Sequence, residues 1–264
     1  MTDLADTRAR AGVVARINPV AKLGVSALIA VPLILTLDPV SAAVALVLEA
    51  VLFLFAGIGW REFWVRTWPV WLAAPLTGLT IALYGETSGT VYVDWFVLRI
   101  SEGSLALAVA TMLRVLAIAL PSVVLFITVD PTDLADGLGQ ILRLPARFVL
   151  GALAGLRMVG LFLDDWRALE LARRARGVAD RGRIRRFLGM AFALLVLSIR
   201  RGAKLATAME ARGFGAPGRR TWARESRFGA AEWLLLAVGA AISGIAVAAA
   251  VVTGAWNFIL GPSA

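Results

Sequence analysis

The chain has 264 residues, of which 59% are hydrophobic, and a formal net charge of +9. It contains no cysteine and no histidine, which excludes disulfides, thiol nucleophiles, histidine bases and the usual zinc or haem ligands. A soluble domain has about 45–50% apolar residues. The excess here comes in long blocks, as a bilayer requires. The composition therefore predicts an all-α integral membrane protein without catalytic, cofactor or metal sites.

Five apolar segments are long enough to be membrane spans. Prolines lie inside three of them, which is tolerated where neighbouring helices satisfy the freed carbonyls. We expect about five transmembrane helices, four of them in residues 1–128 and one in residues 231–264. The predicted spans are Val20–Leu37, Val40–Gly59, Thr67–Tyr84, Ser104–Thr128 and Ala231–Thr253.

Charge orients these spans, because basic residues concentrate on the cytoplasmic side of a membrane. The leading segment carries Arg8, Arg10 and Arg16, so a cytoplasmic N-terminus is expected in a multi-pass protein of the bacterial inner membrane. Residues 129–230 are then cytoplasmic. Two apolar stretches there, Phe148–Leu163 and Phe187–Ile199, are shorter than the roughly 20 residues of a crossing. If both crossed, eight arginines between them would be exported.

The cytoplasmic region is predicted to be helical. Asp130-Pro131-Thr132-Asp133 is typical of a helix start, with a capping Asp followed by Pro at the first helical position. An amphipathic stripe follows at Leu134, Leu138, Ile141 and Leu142 and ends before Pro145. Two longer helices are expected at Pro145–Gly177 and from about Phe187 to Gly213. Both have an apolar first part and a basic second part.

Each of these two helices ends in the same triplet, Ala175-Arg176-Gly177 and Ala211-Arg212-Gly213. Helices often end in a basic residue and a glycine, because the cation complements the dipole and glycine adopts the left-handed cap. Neither Arg176 nor Arg212 has an acidic residue three or four positions earlier, although Asp180 is a possible partner for Arg176. We expect both guanidinium groups to reach outward to carboxylates or carbonyls of another protein.

The sequence resembles the transmembrane T component of energy-coupling factor (ECF) transporters, the EcfT/CbiQ family, over most of its length. The two Ala-Arg-Gly triplets carry the most specific likeness. The resemblance implies a non-catalytic scaffold that joins two cytoplasmic ABC ATPases, which bind the ATP, to a substrate-binding membrane subunit for uptake of a vitamin or metal ion. Arg176 and Arg212 would each dock into one ATPase. Further similar motifs are Asn18-Pro19-Val20-Ala21-Lys22-Leu23, Asp130-Pro131-Thr132-Asp133-Leu134 and Leu144-Pro145.

Two charges lie deep in predicted spans, Glu49 and Arg114, each about 15 Å from the outer surface. A lone charge there costs several kcal/mol, so pairing is favoured. We therefore predict a Glu49–Arg114 contact between the second and fourth spans. An interfacial aromatic belt is expected where the second and third spans meet the cytoplasm, at Trp60, Trp64, Trp68 and Trp71.

The sequence leaves two alternatives open, a conventional ABC permease and a membrane enzyme. No phosphate-cradling G-x-x-x-x-G-K-[ST] loop is present, so energy must come from partners or from an ion gradient. A conventional ABC permease would also dock ATPases but would carry the substrate itself. A membrane enzyme would need an acidic metal cluster, for which Asp130, Asp133 and Asp136 are the candidates. The basic region between membrane segments favours lipid headgroups and a protein partner over nucleic acid.

Overall fold

The structure is a computed structural model that describes residues 13–55, 59–85, 88–95, 98–177, 182–215 and 221–258. It is predominantly helical, as predicted. The elements in these ranges are α1 (Val13–Arg16), α2 (Pro19–Leu35), α3 (Pro39–Phe55), α4 (Trp60–Tyr84), β1 (Val91–Trp95), β2 (Leu98–Ser101), α5 (Glu102–Phe126), α6 (Pro131–Gln140), α7 (Ala146–Ala175), α8 (Arg183–Ala211) and α9 (Ala230–Val252).

The chain forms two compact units. One comprises residues 1–134 and 227–264, and the other comprises residues 135–226. The sequence placed the boundaries at residues 129 and 230. Most of α6 therefore belongs with α7 and α8 in the second unit, whereas its first turn belongs with the apolar helices of the first unit.

Helix α5 is central in the first unit. It packs against α2, α3 and α4, while α9 packs against α2 and α3. Small residues such as Ala117 on α5 and Ala246 on α9 are fully buried and let the helices approach closely. A Cβ placed on Gly239 would lie 2.9 Å from Cγ1 of Val25, so glycine is required by the closeness of α9 to α2.

Two of the five predicted spans, those at α5 and α9, agree with the structure in length and composition, whereas α7 was not predicted as a span. Within the described residues, three helices are long and apolar enough to cross a membrane: α5, α7 and α9. Helices α2 and the part of α3 up to Phe53 are apolar but shorter. Helix α4 begins at Trp60 and is 25 residues long. The third predicted span, Thr67–Tyr84, is the second part of this helix.

One expectation about helix length was wrong, and a second, the long helix Pro145–Gly177, was confirmed. Helix α6 ends at Gln140 rather than continuing to Leu142, and Arg143 then adopts a left-handed φ of 53°. Helix α7 runs without a break for 30 residues, so the short apolar stretch Phe148–Leu163 is part of a much longer helix. Length therefore does not argue against α7 crossing a membrane, and only the distribution of charge does.

An antiparallel hairpin occupies part of the connection between α4 and α5, which joins the third and fourth predicted spans. Strand β1 pairs with β2, with Val91 opposite Ser101 and Trp95 opposite Leu98. Ser101 then caps α5, because its hydroxyl accepts a hydrogen bond from the Ser104 N–H at 3.2 Å. The hairpin thus leads directly into the first turn of the central helix.

Polar contacts join the ends of α2, α5 and α9. Lys22 on α2 is fully buried, and its Nζ donates to Oγ1 of Thr128 at 2.7 Å, just beyond α5. Asn18, the cap of α2, donates its backbone N–H to Glu232 of α9 at 3.1 Å and its side-chain amide to the Arg227 carbonyl at 3.0 Å. These contacts use the motif Asn18–Lys22, for which the sequence suggested no structural partner.

Replacing Thr128 tests this network. In Thr128→Val the Lys22 ammonium loses its hydroxyl acceptor while remaining buried, so we expect the free energy of unfolding to fall by about 1–3 kcal/mol. The control is Thr207→Val, because the Thr207 hydroxyl is exposed and contacts carbonyls of its own helix. Thermal unfolding in detergent measures both. Equal melting temperatures for the two variants would contradict a structural role for the contact.

Candidate functional site

The first triplet forms a glycine cap at the end of α7. Arg176 is the last residue before the chain turns, with φ −88° and ψ 6°. Gly177 follows with a φ of 64°, and its N–H donates to the Arg174 carbonyl at 3.0 Å. A left-handed residue after the last turn satisfies carbonyls that the helix leaves free, and glycine adopts this conformation without steric cost.

The second triplet repeats this geometry at the end of α8. Arg212 has φ −92° and ψ 11°, and Gly213 has a φ of 72°. The N–H of Gly213 donates to the backbone carbonyl of Glu210 at 2.9 Å, and the N–H of Phe214 donates to the backbone carbonyl of Met209 at 2.9 Å. These two hydrogen bonds form a complete Schellman motif. The two arginines therefore occupy the same position in two nearly identical caps. We term α7 and α8 the two arms.

Both guanidinium groups are available to a partner. Arg176 and Arg212 are exposed, and neither side chain makes a hydrogen bond or an ion pair with any described residue. By contrast, the neighbouring Arg174 is bound to Glu170 at 2.9 Å. Asp180, the possible partner of Arg176, lies outside the described residues. An exposed cation at a fixed cap, next to alanine and glycine, allows close approach by a carboxylate or carbonyl.

Ion pairs connect the two arms to each other. Arg201 on α8 makes two hydrogen bonds to Asp165 on α7, at 2.6 and 3.3 Å. Glu170 on α7 accepts from Arg186 on α8 at 2.5 Å. The rings of Trp166 and Phe187 also meet, with centroids 5.6 Å apart. These contacts are between helices, so periodicity within one helix could identify only the Glu170–Arg174 part of the network.

Large parts of the arms expose apolar side chains. The most apolar 18-residue stretch of α7 is almost entirely exposed, with only 6% of it buried within the described structure. The exposed residues of α7 include Phe148, Leu156, Val159 and Leu163, and those of α8 include Phe187, Phe192 and Ile199. Apolar surface of this extent is typical of contact with lipid or with another membrane protein.

The predicted contact between Glu49 and Arg114 is not formed. The guanidinium of Arg114 instead donates to the backbone carbonyl of Thr36, which ends α2. The last carbonyls of a helix have no partner within it and carry the negative end of its dipole, so they attract a cation as a carboxylate would. Asp38 adds a favourable charge near Arg114. Arg114 therefore stabilises the α2–α3 turn rather than the α3–α5 contact.

Glu49 is left buried within α3. Its side chain is 1% exposed, and its carboxylate oxygens have no hydrogen-bond partner among the described residues. A buried carboxyl without a partner is costly inside a bilayer. The deep position predicted from the sequence is thus consistent with its burial, whereas the predicted partner is wrong.

The acidic residues considered for a metal site have structural surroundings. Asp130 accepts from the Thr132 N–H at 2.7 Å and so caps α6, as the sequence predicted. Asp133 lies in the first turn of α6 and exerts a favourable Coulomb interaction on Lys22. No group of three or more acidic residues that could hold a metal occurs in the described ranges.

Three of the four tryptophans of the predicted aromatic belt form one connected cluster at the start of α4. Trp60 contacts Phe63 and Trp64, with ring centroids 6.3 and 5.7 Å apart, and Trp64 contacts Trp71 at 5.5 Å. These tryptophans, together with Trp68, are exposed. Exposed, mutually packed indoles at one end of a long helix are typical of a membrane–water interface.

A family model described as "Cobalt transport protein" (CbiQ) matches residues 11–222, a range that includes both Ala-Arg-Gly triplets. The chain belongs to the EcfT/CbiQ family. It is a transmembrane T component of an energy-coupling factor transporter, and hence one subunit of a multi-subunit membrane transporter.

Several related T components support this membership, each named "Energy-coupling factor transporter transmembrane protein EcfT". The protein from Limosilactobacillus fermentum is 29% identical over 180 residues, covering 63% of this chain and 67% of the relative. The protein from Listeria innocua is 31% identical over 183 residues, covering 64% and 69%. The protein from Lactobacillus helveticus is 26% identical over 239 residues, covering 84% and 86%.

Substitution of Gly177 tests the cap of this T component. Gly177→Ala places a side chain at a left-handed φ, so we expect the free energy of unfolding to fall by roughly 1 kcal/mol. Gly160→Ala in the same helix is the control, because a Cβ there would meet no described atom within 4 Å and alanine favours the helix. Denaturation in detergent compares them. A Gly177→Ala variant as stable as Gly160→Ala would argue against the cap.

Proposed function

We propose that this T component is the scaffold and transmission subunit of an ECF-type importer. It would join two cytoplasmic ATPases to a substrate-binding membrane subunit and so serve the uptake of a micronutrient, either a vitamin or a metal ion. The observation that carries the proposal is the pair of exposed guanidinium groups, Arg176 and Arg212, in matching caps. The relatives named as ECF transmembrane proteins support the same assignment.

Two arms with the same cap would suit two similar ATPase subunits. Arginine recognises carboxylates and carbonyls through a planar set of five donors, and it remains charged when water is excluded. A glycine cap fixes the direction in which the chain leaves the helix, so the position of each arginine is well defined. Each arm would therefore insert one guanidinium group into a groove of one ATPase.

Coupling would be mechanical. Closure of the ATPases on ATP would displace the ends of both arms. Since Asp165–Arg201 and Glu170–Arg186 bind the arms to each other, a displacement of one arm would be resisted by the other. The exposed apolar faces of the arms would support the substrate-binding subunit. In this arrangement ATP binds to partner subunits, and the T component needs no cofactor and catalyses no reaction.

This mechanism requires the basic ends of the arms to be cytoplasmic. The arginines that follow the apolar part of α7 would be exported if that helix crossed the membrane alone, which the distribution of basic residues disfavours. We therefore place the N-terminus and both triplets on the cytoplasmic side of the bacterial inner membrane, with the hairpin β1–β2 outside.

Reversal of charge at the two caps tests docking. We expect Arg176→Glu or Arg212→Glu to reduce co-purification of the ATPases about tenfold or more. The introduced carboxylate would face the carboxylate or carbonyl oxygens of the ATPase groove and be repelled by them. The double variant should recover almost no ATPase while still inserting into the membrane. Arg200→Glu is the matched control, since Arg200 is exposed on α8 away from the cap.

The same co-purification distinguishes the proposal from a conventional permease. One copy of this chain with two ATPases and a distinct small membrane protein is the expected composition. Two copies of this chain in the complex, or wild-type ATPase recovery in the double variant, would refute the docking role.

Cysteine labelling tests the orientation, and the chain has no native cysteine to interfere. Ala172→Cys, exposed near the end of α7, should react with a membrane-impermeant maleimide only after the cells are opened. Tyr92→Cys, exposed on β1, is the control and should react in intact cells. Labelling of Cys at position 172 in intact cells would overturn the cytoplasmic placement of the arms.

A further inference from the structure

The segment that returns from α8 toward α9 is bound to the end of α6. Both ends of the Gln140 amide take part: Nε2 donates to the Arg224 carbonyl at 2.8 Å, and Oε1 accepts from the Ser226 N–H at 2.9 Å. A primary amide that binds a carbonyl and an N–H two residues apart acts on the segment as a neighbouring strand would.

A second contact at the neighbouring residue is independent of these hydrogen bonds. A Cβ placed on Gly139 would lie 2.5 Å from Cη2 and 3.0 Å from Cζ2 of Trp222. Gly139 does not have a positive φ, so its backbone conformation would accept any residue. Glycine is therefore explained by the approach of the indole, although glycine is less favourable than alanine inside a helix. We term the contacts of Gly139 and Gln140 with residues 222–226 the α6 clamp.

The clamp lies immediately before a change in chain direction. Arg143, three residues beyond Gln140, is the only residue other than glycine with a positive φ in the described ranges. Left-handed conformation is unfavourable for such a residue and persists where its surroundings impose it. Helix α7 begins directly afterwards, at Ala146. The connection 141–145 therefore separates a fixed helix, α6, from the long arm α7.

We propose that Gly139 and Gln140 are positioning residues for coupling, because they hold α6 and residues 222–226 as one rigid body. This inference rests on the proposed function. When the ATPases displace the arm ends, α7 turns at the connection 141–145, and the clamp prevents the force from pulling α6 away from the return segment. Without the clamp, part of the displacement would be lost in separating these two elements.

The backbone N–H of Ser226 reports the state of the clamp directly, because it is donated to Gln140. Its hydrogen exchange can be measured in the complete complex with the two ATPases and the substrate-binding subunit, reconstituted in nanodiscs. The complex is compared without nucleotide and after trapping with ATP and vanadate. In the wild-type complex we expect the same protection in both states, as a rigid body requires.

Three variants test the assignment. In Gly139→Ala the methyl group displaces the indole and weakens the clamp. We therefore expect the protection of the Ser226 N–H from hydrogen exchange to fall about tenfold in the trapped state and much less without nucleotide. A tenfold change corresponds to roughly 1.4 kcal/mol. Gln140→Leu should behave similarly. The control Gly202→Ala should match the wild type, since a Cβ there would meet no described atom within 4 Å. Adding Trp222→Phe to Gly139→Ala should restore protection by making room for the methyl group.

Two outcomes would overturn the proposal. If trapping exposes Ser226 in the wild type, α6 and residues 222–226 do not move as one body. If Gly139→Ala lowers protection equally in both states, the clamp is merely structural. Both results differ from a failure of the proposed function, because in that case the wild-type chain would not recover the ATPases at all.

Discussion

The geometry of the candidate site depends on one conformational constraint, the left-handed glycine that follows each arm. The N–H groups of Gly177 and Gly213 satisfy carbonyls of the last helical turn, and each helix ends at the alanine before the arginine. Because the helix cannot continue, Arg176 and Arg212 remain at the tip, where no described acidic side chain reaches them. Helix capping and the proposed recognition of the ATPases thus use the same three residues.

The proposed coupling requires stiff arms as well as exposed tips. An isolated helix of 30 residues is not held in place by its own hydrogen bonds, and its direction is set by what packs against it. Asp165 and Glu170 supply cross-links to α8, and Trp166 adds an aromatic contact. These groups are partly exposed, so each ion pair contributes modestly to stability. Their value lies in fixing the geometry between two helices that otherwise expose much apolar surface.

Within the first unit, several polar side chains bind groups at helix ends. Lys22, Asn18 and Glu232 satisfy backbone or hydroxyl groups where α2, α5 and α9 end or begin. Arg114 follows the same rule by binding the carbonyl that ends α2. Helix ends carry free backbone donors and acceptors, so Arg114 finds an acceptor at the end of α2, whereas Glu49 within α3 has no partner among the described residues.

The sequence by itself determined the apolar helices, the cap at Asp130 and both arm ends, because hydrophobic blocks, proline and glycine act on the local backbone. It also determined family membership, through motifs whose residues lie close together in the chain. Only the tertiary structure decided the partners of Arg114 and Lys22, the cross-links between the arms and the contact of Trp222 with Gly139. Those contacts join residues 16 to 106 positions apart, and no local pattern specifies which distant group will come within hydrogen-bonding distance.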